Sequence, residues 1–271
     1  MALTTIGLMA LLGCFTGFMA GLLGIGDGMI ITPFLIMLIP SSLIPHDHIV
    51  HVAIATSLAT IAFTSLSSVR AHHKRGAVLW NVVASVAPGI LVGAVVGAQI
   101  AGWLPTFWLS LIFAGFVGFS AFKMFLNKSP RPDRNLPGTM GKFFMGIAIG
   151  ILSALVGAGG GFISVPWMVW CNVKMQNAVA TSAAFGFPIA LFGTIGYIIS
   201  GWNVSGLPLW PIDLGYICIP ALFSVAITSV LFAPLGAKVA HSIDTKPLKK
   251  IFACLLCFVC LYMIRQAYLA M

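Results

Sequence analysis

The sequence predicts an all-α polytopic membrane protein, built as two inverted repeats of five apolar segments each, with a broken or re-entrant helix pair opening each repeat. Three observations lead there. Charged residues make up 7% of the chain and hydrophobic ones 60%, whereas soluble domains carry about 25% charged residues. Three stretches of sequence recur in the same order in the two halves. The basic residues gather in alternate connections.

Residues 1–26, 76–122, 143–173, 175–212 and 214–237 contain no Asp, Glu, Lys or Arg. A spanning helix needs about 20 apolar residues, so several of these runs hold more than one crossing. The opening residues, MALTTIGLMALLG, lack a basic n-region, and no cleavable signal is expected. In a soluble protein the net charge of +9 would suggest nucleic acid. Here the basic residues sit in the connections, so the expected partner is the lipid bilayer and not nucleic acid. The cysteines lie mostly in apolar segments, where Cys behaves as a small hydrophobe. Cys254, Cys257 and Cys260 have no His or Asp partner nearby, and no metal or cofactor is expected.

In chain order, the apolar segments of the first half lie near residues 7–24, 28–40, 48–69, 77–102 and 105–125. Those of the second lie near 141–157, 160–171, 176–200, 213–235 and 248–269. This divides the chain into a first membrane repeat, 1–126, a basic linker, 127–140, and a second membrane repeat, 141–271. GFMAGLLGIGDGMIITPFLI (17–36) aligns without gaps on GILSALVGAGGGFISVPWMV (150–169). HVAIATSL (51–58) aligns on QNAVATSA (176–183), and GAQIAGWLP (97–105) more loosely on GAKVAHSID (236–244).

Orientation follows from charge. Arg70, Lys74 and Arg75 follow segment three, and Lys123, Lys128, Arg131, Arg134 and Lys142 surround the linker. Lys174 precedes segment eight, and Lys238, Lys246, Lys249 and Lys250 lie between segments nine and ten. The connections near 41–47, 103–105 and 201–212 carry no Lys or Arg. The positive-inside rule makes the first set, linker included, cytoplasmic. Arg265 is the one exception. An odd number of segments per half then inverts the second repeat, a plan typical of secondary transporters.

The glycine-rich motif marks the expected site. Segment two, from Gly28 to Pro40, makes roughly 18 Å of helix, too short for a 30 Å core. The motif therefore falls within the bilayer, at a helix break, where irregular backbone survives only against protein or a wet cavity. Free N–H groups opening the next helix would form an anion site without a formal positive charge. Gly24, Gly26 and Gly28, with Gly157, Gly159, Gly160 and Gly161, are the candidate residues. Close helix packing is the competing role for such glycines. Thr56 and Ser57, repeated as Thr181 and Ser182, can donate hydroxyl hydrogen bonds to an oxyanion or bond back to their own helix. Asp27 stands where the second half has Gly160. A buried acid in a membrane can carry a coupling proton or hold a cation, or it can cap the helix starting at Gly28.

The paired Gly-x-Gly-x-Gly motifs, each followed by a proline five residues on, resemble those of the sulfite exporter TauE/SafE family, also called TSUP. The two Ala-Thr-Ser stretches and the Lys74-Arg75-Gly76 turn before Trp80 resemble it too. The resemblance implies a bacterial inner-membrane carrier of small anions such as sulfite and sulfonates. Gly-Gly-Gly runs are frequent in both halves of that family. This chain has one at Gly159–Gly161 and Gly26-Asp27-Gly28 in the first half.

An anion channel, or a carrier of carboxylates or other small solutes, would use the same cavity. A membrane enzyme is disfavoured because there is no H-E-x-x-H motif, no G-x-S-x-G elbow and no Glu at all. His46, Asp47, His48 and His51 are irregularly spaced for a metal site. Trp80, Trp103, Trp108, Trp202 and Trp210 are expected at membrane interfaces. Homo-oligomerisation is left open.

Overall fold

The computed structural model describes residues 3–23, 27–39, 44–126, 135–202, 204, 214–240 and 246–270. Among the described residues, its regular elements are a 3₁₀ turn, His46–His48, and ten α-helices: α1 Leu3–Leu23, α2 Gly28–Leu38, α3 Ile49–His73, α4 Trp80–Trp103, α5 Thr106–Leu126, α6 Thr139–Val156, α7 Gly161–Trp170, α8 Met175–Gly201, α9 Ile219–Ala240 and α10 Lys246–Leu269. Among the described residues there is no strand. Among the described residues, eight helices are long and apolar enough to cross a membrane, and the protein is a multi-pass membrane protein. The two shorter ones are α2, of 11 residues, and α7, of 10. At 1.5 Å per residue they reach about 16 Å, half a hydrocarbon core. Each contains the predicted proline, Pro33 or Pro166. The first member of each pair is longer than half a crossing: α1 has 21 residues and α6 has 18.

Helices α3 and α8 pack on each other at the centre. Most of α3 is buried from end to end, whereas α5, α9 and α10 turn large apolar side chains such as Phe119, Phe122, Leu231, Phe258 and Leu261 outward, as lipid-facing helices do. Trp80, Trp103 and Trp202 lie at helix ends and Trp108 in the first turn of α5, all exposed; Trp210 lies outside the described residues. His51 is used inside the fold. Its Nε2 lies 3.0 Å from the carbonyl oxygens of both Ala101 and Leu104, closing the C-terminus of α4, and its ring stacks on Tyr216 at 5.2 Å.

Glycine sets the closest helix contacts. A Cβ on Gly13, Gly17 or Gly21 of α1 would strike the backbone of α9, and one on Gly89, Gly93 or Gly97 of α4 would strike α6. Where lipid tails are as apolar as the side chains, close backbone approach is what joins helices. These contacts also follow the internal repeat. Gly17 meets Ser229 of α9, and its repeat partner Gly150 meets Ile90 of α4. Gly97 meets Ile151, and its partner Gly236 meets Phe18. The loose third alignment, carried upstream without a gap, makes Ile90 and Ser229 equivalent; the first makes Phe18 and Ile151 equivalent. Exchanging the halves thus maps α1 on α9 onto α6 on α4, and α3 on α9 onto α8 on α4.

Two helices start well inside their apolar runs. The run expected from 213 becomes helical only at Ile219, and the one expected from 77 only at Trp80. In both places the approach to the helix is held by a threonine of a central helix. The Cys218 N–H donates to Thr56 Oγ1 at 2.9 Å, and the Leu79 N–H to Thr181 Oγ1 at 3.0 Å.

Candidate functional site

The two breaks touch. Helix α6 ends at Gly157, which takes the left-handed conformation (φ 64°), and the Ala158 N–H reaches back to the Ser153 carbonyl at 3.0 Å. Gly160, also left-handed (φ 78°), leads into α7. Both conformations suit glycine because it has no Cβ. Gly28, at the start of α2, lies directly on the Gly157 carbonyl, with no room for a Cβ between them. Ser57 donates to the same carbonyl at 3.2 Å. In α2 the Ile30 and Ile31 amides bond to the Asp27 carbonyl, and in α7 those of Ile163 and Ser164 bond to the Gly160 carbonyl. The two preceding amides of each helix, Gly28 and Met29, Gly161 and Phe162, have no acceptor within the helix.

Beside this junction is a small cavity, lined by Asp27, Thr64, Ser65, Ser68, Gly159 and Ser182 together with Gly186 and three apolar residues. No Lys, Arg or His is among its lining residues. The Asp27 side chain is buried and makes no capping hydrogen bond to α2, so the capping role does not hold. The carboxyl turns instead to α9, where the Ser229 hydroxyl donates to Oδ2 at 3.1 Å. Thr64 lies 2.8 Å from the same Ser229 oxygen. Asp27 Oδ1 is buried without a hydrogen-bond partner.

The sequence candidates separate into groups. Asp27, Gly159 and Ser182 line the cavity. Gly28, Gly157 and Ser57 form the junction beside it. Gly161 is buried as the first residue of α7, and a Cβ on Gly160 would come within 2.6 Å of the Ile189 side chain. The hydroxyl oxygens of Thr56 and Thr181 accept from backbone amides, neither bonding back to their own helix nor lining the cavity. Gly24 and Gly26 lie outside the described residues.

Sequence reasoning missed Thr64, Ser65, Ser68 and Ser229. A signal for the first group was present: Thr56, Thr60, Thr64 and Ser68 recur every fourth residue of α3, and so form one polar stripe on an apolar helix. Ser229 has no comparable pattern. It meets Asp27 only because α9 crosses α1 at Gly17.

The threonine contacts give a testable pair. Thr56→Ala and Thr181→Ala each remove the acceptor for a helix-start amide and should each cost about 1 kcal/mol. Serine at either position should restore most of it. Thermal unfolding of the purified variants checks both.

Comparison with known proteins agrees with this architecture. The profile described as "Sulfite exporter TauE/SafE" matches residues 9–263. A protein of Haemophilus influenzae named "Probable membrane transporter protein" is 35% identical over 262 residues, covering 96% of this chain and 98% of its own. The "Probable membrane transporter protein YdhB" of Bacillus subtilis is 29% identical, covering 74% of this chain and 82% of its own. The corresponding protein MJ0441 of Methanocaldococcus jannaschii is 27% identical, covering 95% and 94%. No solved structure matches the chain. With a multi-pass helical fold, two glycine-broken helix pairs and a profile match over nearly its whole length, the chain belongs to the sulfite exporter TauE/SafE family of membrane transporters.

Proposed function

We propose that the protein carries small anions, sulfite or sulfonate-type, across the bacterial inner membrane, binding them in the cavity beside the junction of its two helix breaks. The observation that carries this reading is the composition of that cavity: hydroxyls from both halves and glycine backbone from the second, with no cationic side chain. Donors of this kind hold an oxyanion by hydrogen bonds and helix-end partial charges alone. Binding by such groups is loose enough for release. Ser182, Ser65 and Ser68 supply hydroxyls, and Gly159 supplies backbone that an anion can approach closely. Gly28, Gly157, Gly160 and Gly161 shape the breaks, Ser57 ties their junction, and Thr56 and Thr181 hold the approaches to α9 and α4. The halves run in opposite directions through the bilayer, with the basic connections and the linker cytoplasmic, so that rocking one half against the other exposes the site to each side in turn.

A thermal-shift screen of the purified protein against sulfite, sulfate, thiosulfate, sulfoacetate and simple carboxylates tests the reading. The sulfur oxyanions should stabilise the wild type most. Gly159→Val, which fills the cavity, should abolish the shift, and Ser182→Ala should weaken binding about tenfold, the worth of one hydrogen bond to a charged group. Stabilisation that survives both changes would place the anion elsewhere. Counterflow of labelled substrate in proteoliposomes distinguishes a carrier from a channel.

A further inference from the structure

We propose that Asp27 is the proton-coupling group of this carrier: its carboxyl takes up a proton when an anion occupies the adjoining cavity and releases it when the anion leaves. This rests on the anion-carrier reading above and adds to it a coupling ion and a residue that carries it. The geometry supporting it is a chain of hydroxyls that can run in either direction. A hydroxyl has one proton to donate and two lone pairs to accept with. With the carboxylate ionised, Ser229 donates to Asp27 Oδ2, and Thr64 then donates to Ser229. With the carboxyl protonated on Oδ2, every bond reverses: Asp27 donates to Ser229, Ser229 to Thr64, and Thr64 to the Thr60 carbonyl 3.1 Å away. Both states use each donor once and leave none without an acceptor. A buried acid with fixed donors would be held in one state; this one has hydrogen-bonded arrangements for both.

The second observation is Oδ1. It is buried, has no hydrogen-bond partner, and belongs to a residue that lines the cavity where the anion is placed. An ionised carboxylate there repels an anion, and a neutral acid does not. Helices α2 and α7 contain no Asp, Glu, Lys, Arg or His, α1 contributes only Cys14, and α8 only Tyr197, eleven residues past Gly186. On α3 the nearest titratable groups are Arg70 and His72, six and eight residues beyond Thr64, or about 9 and 12 Å along the helix. His73 follows them, and His51 lies thirteen residues before Thr64. On α9 it is Lys238, nine residues beyond Ser229, or about 14 Å. On α10, which packs against α2, the charged residue with a described side chain is the exposed Arg265. With no cation beside it, the Asp27 charge is most readily neutralised by a proton.

Five aspartates and no glutamate in the whole chain make the test direct. In infrared spectra of the full-length protein, lowering the pH should bring up a carboxylic-acid carbonyl band that Asp27→Asn lacks. Ser229→Ala, which keeps the acid and removes its partner, should shift that band. Methanesulfonate, which does not itself titrate, should bind the wild type with constant affinity below the band's midpoint. Above it, affinity should fall about tenfold per pH unit, as uptake of one proton requires. In Asp27→Asn the affinity should not vary with pH. A band that is absent or unchanged at every pH, or unmoved in Ser229→Ala, overturns the proton site; the serine variant decides this even if Asp27→Asn does not fold. Methanesulfonate affinity that ignores pH, or follows it equally in Asp27→Asn, overturns the coupling while leaving the anion carrier standing. If the wild type binds no anion at all, the carrier reading falls and the coupling with it, and the infrared titration still decides whether Asp27 takes up a proton.

Discussion

Gly28→Ala should yield no stable protein. The new methyl would sit on the Gly157 carbonyl oxygen, with the Ile61 side chain 2.9 Å away. A flexible side chain can move aside, but this obstacle is backbone. Gly157 is fixed by its left-handed turn at the end of α6 and by the Ser57 hydroxyl, so moving it breaks the end of one helix to make room at the start of another. Overpacking a core commonly costs 1–3 kcal/mol, and backbone against backbone puts this variant at the upper end, about 3 kcal/mol or more. Loss of the monodisperse peak in size-exclusion chromatography, or a large fall in melting temperature, is the expected readout. Gly7→Ala is the control, because nothing lies within 4 Å of a Cβ there. If the two variants melted alike, the breaks would not meet as described.

Gly17→Ala and Gly150→Ala should destabilise the protein by nearly the same amount, about 1–3 kcal/mol each. The two residues are repeat partners 133 positions apart, and each is pressed against the backbone of a different helix. A Cβ on Gly17 would lie 2.6 Å from the Ser229 Cα, and one on Gly150 2.6 Å from the Ile90 carbonyl oxygen. Gly17 carries a further load, since Ser229 is also the partner of Asp27. Gly17→Ala should therefore also shift the pH dependence of anion binding, and Gly150→Ala should not. Thermal unfolding of both variants, with the methanesulfonate titration repeated on each, tests the equivalence of the halves and the single feature that breaks it.

That feature is a residue where the halves differ in sequence as well. Gly160 takes φ 78° and has Ile189 within 2.6 Å of where its Cβ would be. Asp27, at the same repeat position, has φ −84°, an ordinary conformation for any residue, and turns its carboxyl toward Ser229. The sequence showed that the two positions differ, but not what Asp27 meets, because its partner is 202 residues away. Thr56 and Thr181 show the same limit. Their recurrence marked them as important, yet a hydroxyl can bond to its own helix, to a ligand or to a neighbouring chain segment at similar energy. Only the approach of Leu79 and Cys218 settled which.

Some of this protein was determined by its sequence alone. Long uncharged, apolar runs give membrane helices over most of their length, because a helix satisfies every backbone polar group within its own segment. Glycines at matching places in both halves set where those helices break, because glycine acts on the chain locally. Helix partners, the amide taken by each threonine, and the turn of the Asp27 carboxyl away from its own helix were decided by tertiary structure. Those outcomes depend on backbones closing to within van der Waals contact at glycine surfaces, and on hydrogen bonds between residues far apart in the chain.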